Sequence, residues 1–145
     1  MANVNSVEYA KTITNPPTML DPWQDHGKLR VAYATYESSS FAANDTLTLF
    51  VLPKGANVVG GHLWMDSNAS STTVSVGDST DADGYVPAST ALGTAAKSYD
   101  MAATLGAYWT GTVPLAADQT VILTLAGANS TDAKTFRCAM YYVVD

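Results

Sequence analysis

The segment GDSTDADGY holds the densest group of residues in this chain that could do chemistry. Asp78, Asp81 and Asp83 lie within six residues of one another and precede a glycine, a spacing at which carboxylate oxygens can bind calcium. The match to a calcium-binding loop is poor, because Ser79 and Thr90 occupy the positions of the first ligand and of the bidentate glutamate. A catalytic pair of carboxylates would need one buried member, and this segment has few apolar neighbours. The pattern favours a solvated turn, with calcium binding as the alternative.

The two histidines and the single cysteine are the other candidates for metal binding or catalysis. His26 and His62 are far apart in sequence, and neither has a recognisable partner nucleophile or further metal ligand. Cys138 lies on the apolar face of a predicted strand, where a free thiol behaves as a small buried hydrophobic residue. The stretch GANVVGG has the wrong spacing for a phosphate-binding loop and opens no helix. We therefore predict structural roles for all three residues, no cofactor, no catalytic residue and no enzymatic activity.

Aromatic side chains could form a binding platform, because a row of them can stack on sugars. Aromatic residues are also ordinary in the core of a sandwich and in subunit interfaces, and we favour those roles. The residues concerned are Tyr33, Tyr36, Trp64, Tyr85, Tyr99, Tyr108, Trp109, Tyr141 and Tyr142.

Composition excludes several classes of protein. The 145 residues include only seven lysines and arginines against thirteen aspartates and glutamates, for a net charge of −6. So few cations argue against a nucleic-acid partner, which would be held by contacts from lysine and arginine to phosphate. One cysteine excludes an intrachain disulfide and a multi-cysteine zinc site. The sequence has neither a basic region followed by an apolar leader nor an apolar stretch of about 18 residues, so we predict no signal peptide and no membrane partner.

Strand patterns recur from Lys28 onward. Apolar and polar residues alternate in KLRVAYATY, TLTLFVL, STTVSVG, TVILTLAG and KTFRCAMYYVVD, the period of two that a half-buried strand shows. Clusters such as LPKGA predict turns between the strands, and Gly60 and Gly61 suit a bulge or a close approach of two backbones. The Ala-rich segment ASTALGTAAKSYDMAATL predicts a loop with at most one helical turn. Residues 28–145 are therefore predicted to form an all-β domain, an antiparallel β-sandwich or jelly roll.

Residues 1–27 are predicted to form an extended N-terminal arm. Pro16 and Pro17 fix their own φ and restrict the residue before each of them to extended conformations. Leu20 and Trp23 are apolar positions along the arm. The residue pattern favours packing of these side chains on the chain's own core, with docking on another subunit or partner as the alternative.

The order of these features resembles small virion structural proteins of tailed bacteriophages, particularly those of cyanophage-type podoviruses. The stretches that carry the resemblance are EYAKTITNPP, GKLRVAYATYE, LTLFVLPKGANVVGGHLWM, TVSVGDSTDADGY and MYYVVD. The resemblance implies a capsid decoration, or cement, protein that binds the outer capsid surface of the virion and bridges neighbouring capsomers to stabilise the DNA-filled head. It also implies a major capsid protein as partner, a homo-oligomer with a trimer favoured over a dimer, and synthesis in the cytoplasm of the host bacterium.

Under this hypothesis Pro16, Pro17, Leu20 and Trp23 contact the capsid or a sister subunit. A head-fibre base, neck or tail protein of the virion is the first alternative. A carbohydrate-binding β-sandwich module is the second, and it would need an exposed row of aromatic residues. An enzyme that acts on sugars is the third alternative, and the sequence shows no acid and base positioned for that chemistry.

Overall fold

A computed structural model describes residues 14, 16, 27–39, 41–68, 71–91, 94–104, 106–110, 114–130 and 132–144. Eight strands and two short 3₁₀ turns make up the regular structure. The strands are β1 (Lys28–Glu37), β2 (Thr46–Leu52), β3 (Ala56–Met65), β4 (Thr73–Gly77), β5 (Val86–Ala91), β6 (Lys97–Asp100), β7 (Gln119–Ala126) and β8 (Thr135–Val144). The 3₁₀ turns, Ala102–Thr104 and Ala107–Thr110, lie between β6 and β7. No helix in this described part of the chain has the length and hydropathy needed to cross a membrane.

The strands form two four-stranded antiparallel sheets, in the orders β1-β8-β3-β6 and β2-β7-β4-β5. The pairs β1 with β8, β2 with β7, β3 with β6 and β4 with β5 are those of one long hairpin that turns back between β4 and β5. The further pairs β8 with β3 and β7 with β4 form when that hairpin rolls up on itself. This arrangement is the eight-stranded jelly roll, so the predicted all-β sandwich or jelly roll is confirmed.

The core lies between the two sheets and is built by the alternation of side chains along each strand. The face of β8 that points into the core carries Phe136, Cys138 and Met140, each at most 2% exposed. The other sheet contributes an equally buried row, as β7 shows with its three fully buried residues Val121, Leu123 and Leu125. An aromatic group closes one part of the core, in which the ring of Phe41 packs edge-on against those of Tyr36 and Phe136.

The predicted turn and bulge around LPKGANVVGG are present. Residues 53–55 turn the chain between β2 and β3, and Gly55 has a φ of +82°, a conformation that favours glycine. The pairing of β3 with β8 shifts register between Val58 and Gly60, which is the expected bulge. At Gly61 a Cβ atom would come within 2.9 Å of the Ala139 carbonyl oxygen, so the close approach of backbones is present as well.

Two strands are missed by the sequence prediction. The Ala-rich segment that predicts a loop instead contributes part of β5 and all of β6. Both strands lie at sheet edges. β6 has only four residues and β5 contains Pro87, so neither shows the sustained alternation of apolar and polar residues that identifies a strand. The predicted helical turn corresponds to the three-residue 3₁₀ turn Ala102–Thr104.

The described positions of the predicted arm are Thr14, Pro16 and Gly27. Thr14 and Pro16 each lie at a bend and are exposed. Pro17, Leu20 and Trp23 lie outside the described residues, as does His26. The arm and its contacts therefore stay a prediction.

Candidate functional site

Four side chains from separate segments meet at the end of the sandwich where β4 gives way to the loop before β5. We call Asp78, Tyr85, Tyr108 and Gln119 the Asp78 cluster. Asp78 follows the last residue of β4, Tyr85 precedes β5, Tyr108 lies in the second 3₁₀ turn, and Gln119 begins β7. The topology brings the two ends of the 78–85 loop beside the start of β7, because β7 pairs with β4.

The carboxylate of Asp78 is the common acceptor of this cluster. Its Oδ1 atom accepts hydrogen bonds from the backbone N–H groups of Thr80 and Asp81, at 2.7 and 2.8 Å, and from the hydroxyl of Tyr108 at 2.8 Å. Its Oδ2 atom accepts a hydrogen bond from the side-chain amide of Gln119. The Gln119 carbonyl oxygen in turn accepts from the hydroxyl of Tyr85 at 2.6 Å. Every side chain of the Asp78 cluster therefore has its polar partner inside the cluster or in the adjoining backbone.

These bonds shift the pKa values of the groups that make them. Burial raises the pKa of Asp78, but the hydrogen bonds donated by Asp81, Gln119, Tyr108 and Thr80 outweigh it, so the pKa lies below its usual value. Burial is the main cause that raises the pKa of both tyrosines, with the Asp78 carboxylate adding to it. The hydroxyls of Tyr85 and Tyr108 therefore stay protonated as donors.

The other two aspartates of the segment serve the loop. Asp81 Oδ1 accepts from the backbone N–H of Asp83 at 3.3 Å, and Asp83 Oδ2 accepts from that of Ala88 at 3.3 Å. A side-chain hydrogen bond with Asp83 is the main cause that raises the pKa of Asp81. Within the described ranges, no group of three or more histidine, cysteine, aspartate or glutamate side chains is placed to hold a metal ion. The segment is a turn between β4 and β5, and its three carboxylates are engaged in hydrogen bonds with the turn itself, with β5 and with the side chains of the Asp78 cluster.

An open cavity of about 320 Å³ lies beside the Asp78 cluster. The cluster residues line one side of it, and residues from the start of β3 and from the loop before β7 line the other. The lining residues outside the cluster are Ala56, Asn57, Val58, Thr80, Ala107 and Leu115. Because the polar groups of the cluster already bind one another, the arrangement holds the loops together and presents no free acid, base or nucleophile to the cavity.

A second candidate surface is the face of the β1-β8-β3-β6 sheet that points away from the core, which we call the outer face. His62, Trp64 and Tyr141 meet there, with ring centroids 5.4 Å apart for His62 and Trp64 and 6.1 Å apart for His62 and Tyr141. Along β1 the outer face carries Leu29 and Tyr33, which are 62% and 58% exposed. This sheet therefore presents apolar and aromatic side chains to the outside of the chain.

The remaining predicted residues have structural positions. Cys138 is completely buried, and burial raises the pKa of its thiol to about 12. The predicted aromatic residues with described side chains fall into separate places. Tyr36, Tyr99 and Tyr142 pack against the core, Tyr85 and Tyr108 belong to the Asp78 cluster, and Tyr33, Trp64 and Tyr141 lie on the outer face. These side chains therefore do not form one continuous platform. The side chain of Trp109 lies outside the described residues.

Sequence reasoning found Asp78 but missed the partners that define its role. Tyr108 and Gln119 are 30 and 41 residues away from Asp78 in the chain. No local pattern links residues at such separations. The one signal in the sequence is Gly77, which directly precedes the predicted turn. In the structure a Cβ at this position would lie 2.0 Å from the Asp81 carbonyl oxygen. A glycine directly before a predicted turn indicates that the loop folds back tightly on the end of the strand.

Comparison with known proteins gives similarity in structure and none in sequence. No protein-family model and no curated protein matches the chain. A chain of the cyanophage Pam1 capsid asymmetric unit matches with a TM-score of 0.63 and 21% identity, over 91% of this chain and 96% of that one. A chain of the Ralstonia phage GP4 capsid matches with a TM-score of 0.63 and 18% identity, over 83% and 88% of the two chains.

A chain of the acidic stable capsid structure of Helicobacter pylori bacteriophage KHP30 is also similar, with a TM-score of 0.50 and 18% identity over 81% of this chain and 89% of that one. These identities are low, and the likeness is one of fold. The resemblance to phage virion proteins that the sequence predicts is confirmed at that level, since this jelly roll is shared with chains of phage capsid structures.

Proposed function

We propose that the chain is a structural protein of a tailed-bacteriophage virion, which binds the outer capsid surface as a decoration, or cement, protein. In this role it bridges neighbouring capsomers and stabilises the DNA-filled head. The observation that carries the proposal is the extent of the fold match, because 91% of this chain aligns with 96% of a chain from a phage capsid structure. The match therefore spans the jelly roll as a whole rather than one hairpin.

The Asp78 cluster supports a role without catalysis. Its carboxylate, amide and two hydroxyls bind one another at the mouth of the 320 Å³ cavity. An enzyme would need at least one such group directed at a substrate. The proposed activity is therefore binding, with no cofactor.

The proposed partner is the major capsid protein, and the proposed assembly state is a homotrimer. A trimer that contacts several capsid subunits at once converts weak single contacts into strong retention. The chain can make charged contacts through its net charge of −6 and apolar contacts through the exposed side chains of the outer face. Pro16, Pro17, Leu20 and Trp23 are the arm residues proposed to contact the capsid or a sister subunit.

Capsid binding can be tested with expanded heads from a phage that lacks this protein. Purified chain is added in increasing amounts, the heads are sedimented, and the amount of chain that sediments with them is measured by gel electrophoresis. We expect saturable binding and a higher temperature of DNA release from filled heads, and electron cryomicroscopy should show the chain on the outer surface. No binding to heads, or density confined to the neck or tail, would overturn the decoration role, and neck or tail density would favour the alternative virion role.

The arm is tested by deletion in the same assay. A chain lacking residues 1–24 should bind heads at least tenfold more weakly, whereas one lacking residues 1–5 keeps every proposed contact residue and serves as the control. Equal binding by both truncated chains would show that the arm does not contact the capsid.

A further inference from the structure

Strand β1 is the edge strand with the longest regular unpaired side in the described structure. It pairs with β8 over ten consecutive residue pairs, from Lys28 opposite Val144 to Glu37 opposite Thr135, without a register shift. On its other side no described strand pairs with it. The backbone N–H and C=O groups that point away from β8 therefore have no partner strand among the described residues, and such groups can pair with a further strand.

The other three sheet edges carry features that block strand addition. β6 has four residues, with Lys97 and Asp100 at its ends. β5 contains Pro87, which has no backbone donor, and β2 is bulged between Thr48 and Phe50. Short length, proline, charge and bulges are the usual protections of an edge. β1 has no proline, glycine or bulge, and its charges lie toward its ends.

In β1 the small side chains face the core and the large apolar ones face outward, which is the reverse of the usual arrangement in a strand. Ala32 and Ala34 point toward the core, whereas Leu29, Val31 and Tyr33 point outward and are 62%, 55% and 58% exposed in the single chain. An exposed row of large apolar side chains beside free backbone groups is typical of a surface that is covered in an assembly.

We propose that residues 7–13 of a second copy of this chain add to β1 as an extra strand. The stretch VEYAKTI is rich in the β-branched and aromatic residues that strands favour, and residues 1–15 contain neither proline nor glycine. The segment can therefore supply an unbroken row of backbone donors and acceptors, which is the basis of recognition by strand addition. The inference names one contact of the arm whose role is proposed above.

Charge complementarity supports this occupant. In a parallel strand with Glu8 opposite Arg30, Val7 lies opposite Leu29 and Tyr9 opposite Val31, and residues 7–13 run along residues 29–35 of β1. The side chains of Val7 and Tyr9 then share the outer face with the apolar row of β1, and the charged pair lies on the other face. An antiparallel strand in the same register would place only residues 7–10 beside β1, so the proposed direction is parallel.

The chain between this segment and β1 favours a second copy over the same chain. Pro16, Pro17 and Pro22 lie between this segment and β1. Residues 14–27 can span up to about 46 Å when extended. Proline-bearing segments are stiff spacers that resist the reversal needed to return to their own strand. A contact from the arm of one copy to β1 of the next is head-to-tail, which closes into a ring and is compatible with a trimer.

The test measures mass in solution by light scattering after size exclusion, with no capsid present. We expect the wild-type chain at about 100 μM to form a closed oligomer of three 15.2 kDa copies. Val31→Lys places a charge on the β1 row, and deletion of residues 1–13 removes the added strand, so each variant should be monomeric. Val51→Lys on the β2 edge is the matched control, because Val51 is 56% exposed against 55% for Val31, and it should keep the wild-type mass.

Mixing the two monomeric variants is the decisive step. The Val31→Lys chain still has an arm and the truncated chain still has an intact β1, so the mixture should form a one-to-one complex. A monomeric wild-type chain, an oligomer that survives deletion of residues 1–13, or the absence of a mixed complex would each overturn the proposal. The first outcome would indicate an arm that pairs with its own chain or with another protein, and the second would indicate direct pairing of β1 with β1. Because no capsid is used, these outcomes leave the test of capsid binding unaffected.

Discussion

The Asp78 cluster and the β1 edge belong to the same small sandwich, but their hydrogen-bonding groups are satisfied in different ways. At the cluster, the Asp78 carboxylate accepts from two backbone groups and two side chains, and Gln119 joins it to Tyr85. Along β1, one whole side of the backbone has no partner strand among the described residues. The difference separates the residues that stabilise the single chain from those available for association between chains. Changes at the cluster should alter the folding of one chain, and changes at the edge should alter only what depends on protein concentration.

The largest expected effect at the cluster comes from Gly77→Ala. The added Cβ would lie 2.0 Å from the Asp81 carbonyl oxygen and 2.5 Å from the Ala82 carbonyl carbon, so the loop must move away and lose its bonds to Asp78. We expect the free energy of unfolding to fall by about 3 kcal/mol. Urea unfolding at two protein concentrations measures this, and the loss should be the same at both.

Asp78→Ala removes the shared acceptor and should have the next largest effect. Four donors lose their partner, and we expect unfolding to become easier by about 2 to 3 kcal/mol. Asp83→Ala is the control, because Asp83 is exposed and its side chain bonds Ala88 and Asp81 rather than a member of the Asp78 cluster. Equal losses for the two variants would show that loop charge rather than the cluster stabilises this end of the sandwich.

Acid should weaken the cluster in a defined direction. The pKa of Asp78 is lower in the folded chain than in the unfolded one, so its stabilising contribution is complete above the unfolded value of about 3.9. It is lost as the pH falls further, through the folded pKa. The raised pKa of Asp81 acts in the opposite sense, so variants must be compared. The melting temperature of Asp78→Asn should fall less than that of wild type between about pH 5 and pH 2.5, and parallel curves would contradict this assignment.

The smallest expected effect lies at the edge. Arg30→Glu or Glu8→Lys alone should weaken association by about two- to fivefold, because an exposed ion pair contributes about 0.5 to 1 kcal/mol. The two changes together in one chain should restore it. The melting temperature of the dilute monomer should not change in any of the three variants. If the double variant is weaker than both single ones, Glu8 does not lie opposite Arg30.

The strands whose buried face could be predicted from sequence are β7 and β8. In β7 and β8 the alternating apolar residues are the buried ones, as Leu123 and Met140 show. In β2 the bulge after Thr48 reverses the alternation. Val51, which alternation placed on the same face as Leu47 and Leu49, is therefore 56% exposed, whereas Leu52 is buried. A bulge changes the face of every later residue, and nothing in TLTLFVL marks its position.

The buried face of β1 and the partners in the Asp78 cluster could not be predicted for a different reason. The alternation in KLRVAYATY identifies a strand, but the sequence alone would place the larger row, Leu29, Val31 and Tyr33, in the core. In the structure Ala32 and Ala34 face the core, where they lie opposite Met140 and Cys138 in the register of β8. Which row is buried therefore depends on partners that lie more than 100 residues further along the chain. The cluster likewise depends on residues that only the tertiary fold brings together.

The pairing of Lys28 with Val144 gives the molecule a polarity that matters for protein engineering. The chain enters β1 and leaves β8 at one corner, so a peptide fused after Asp145 would begin close to the start of β1. The loop between β7 and β8, residues 127–134, lies at the opposite end of these strands. A peptide inserted in that loop would lie at the far end of β1 from Lys28. The β7–β8 loop is therefore the place to graft an epitope or a label when the start of β1 must stay unobstructed.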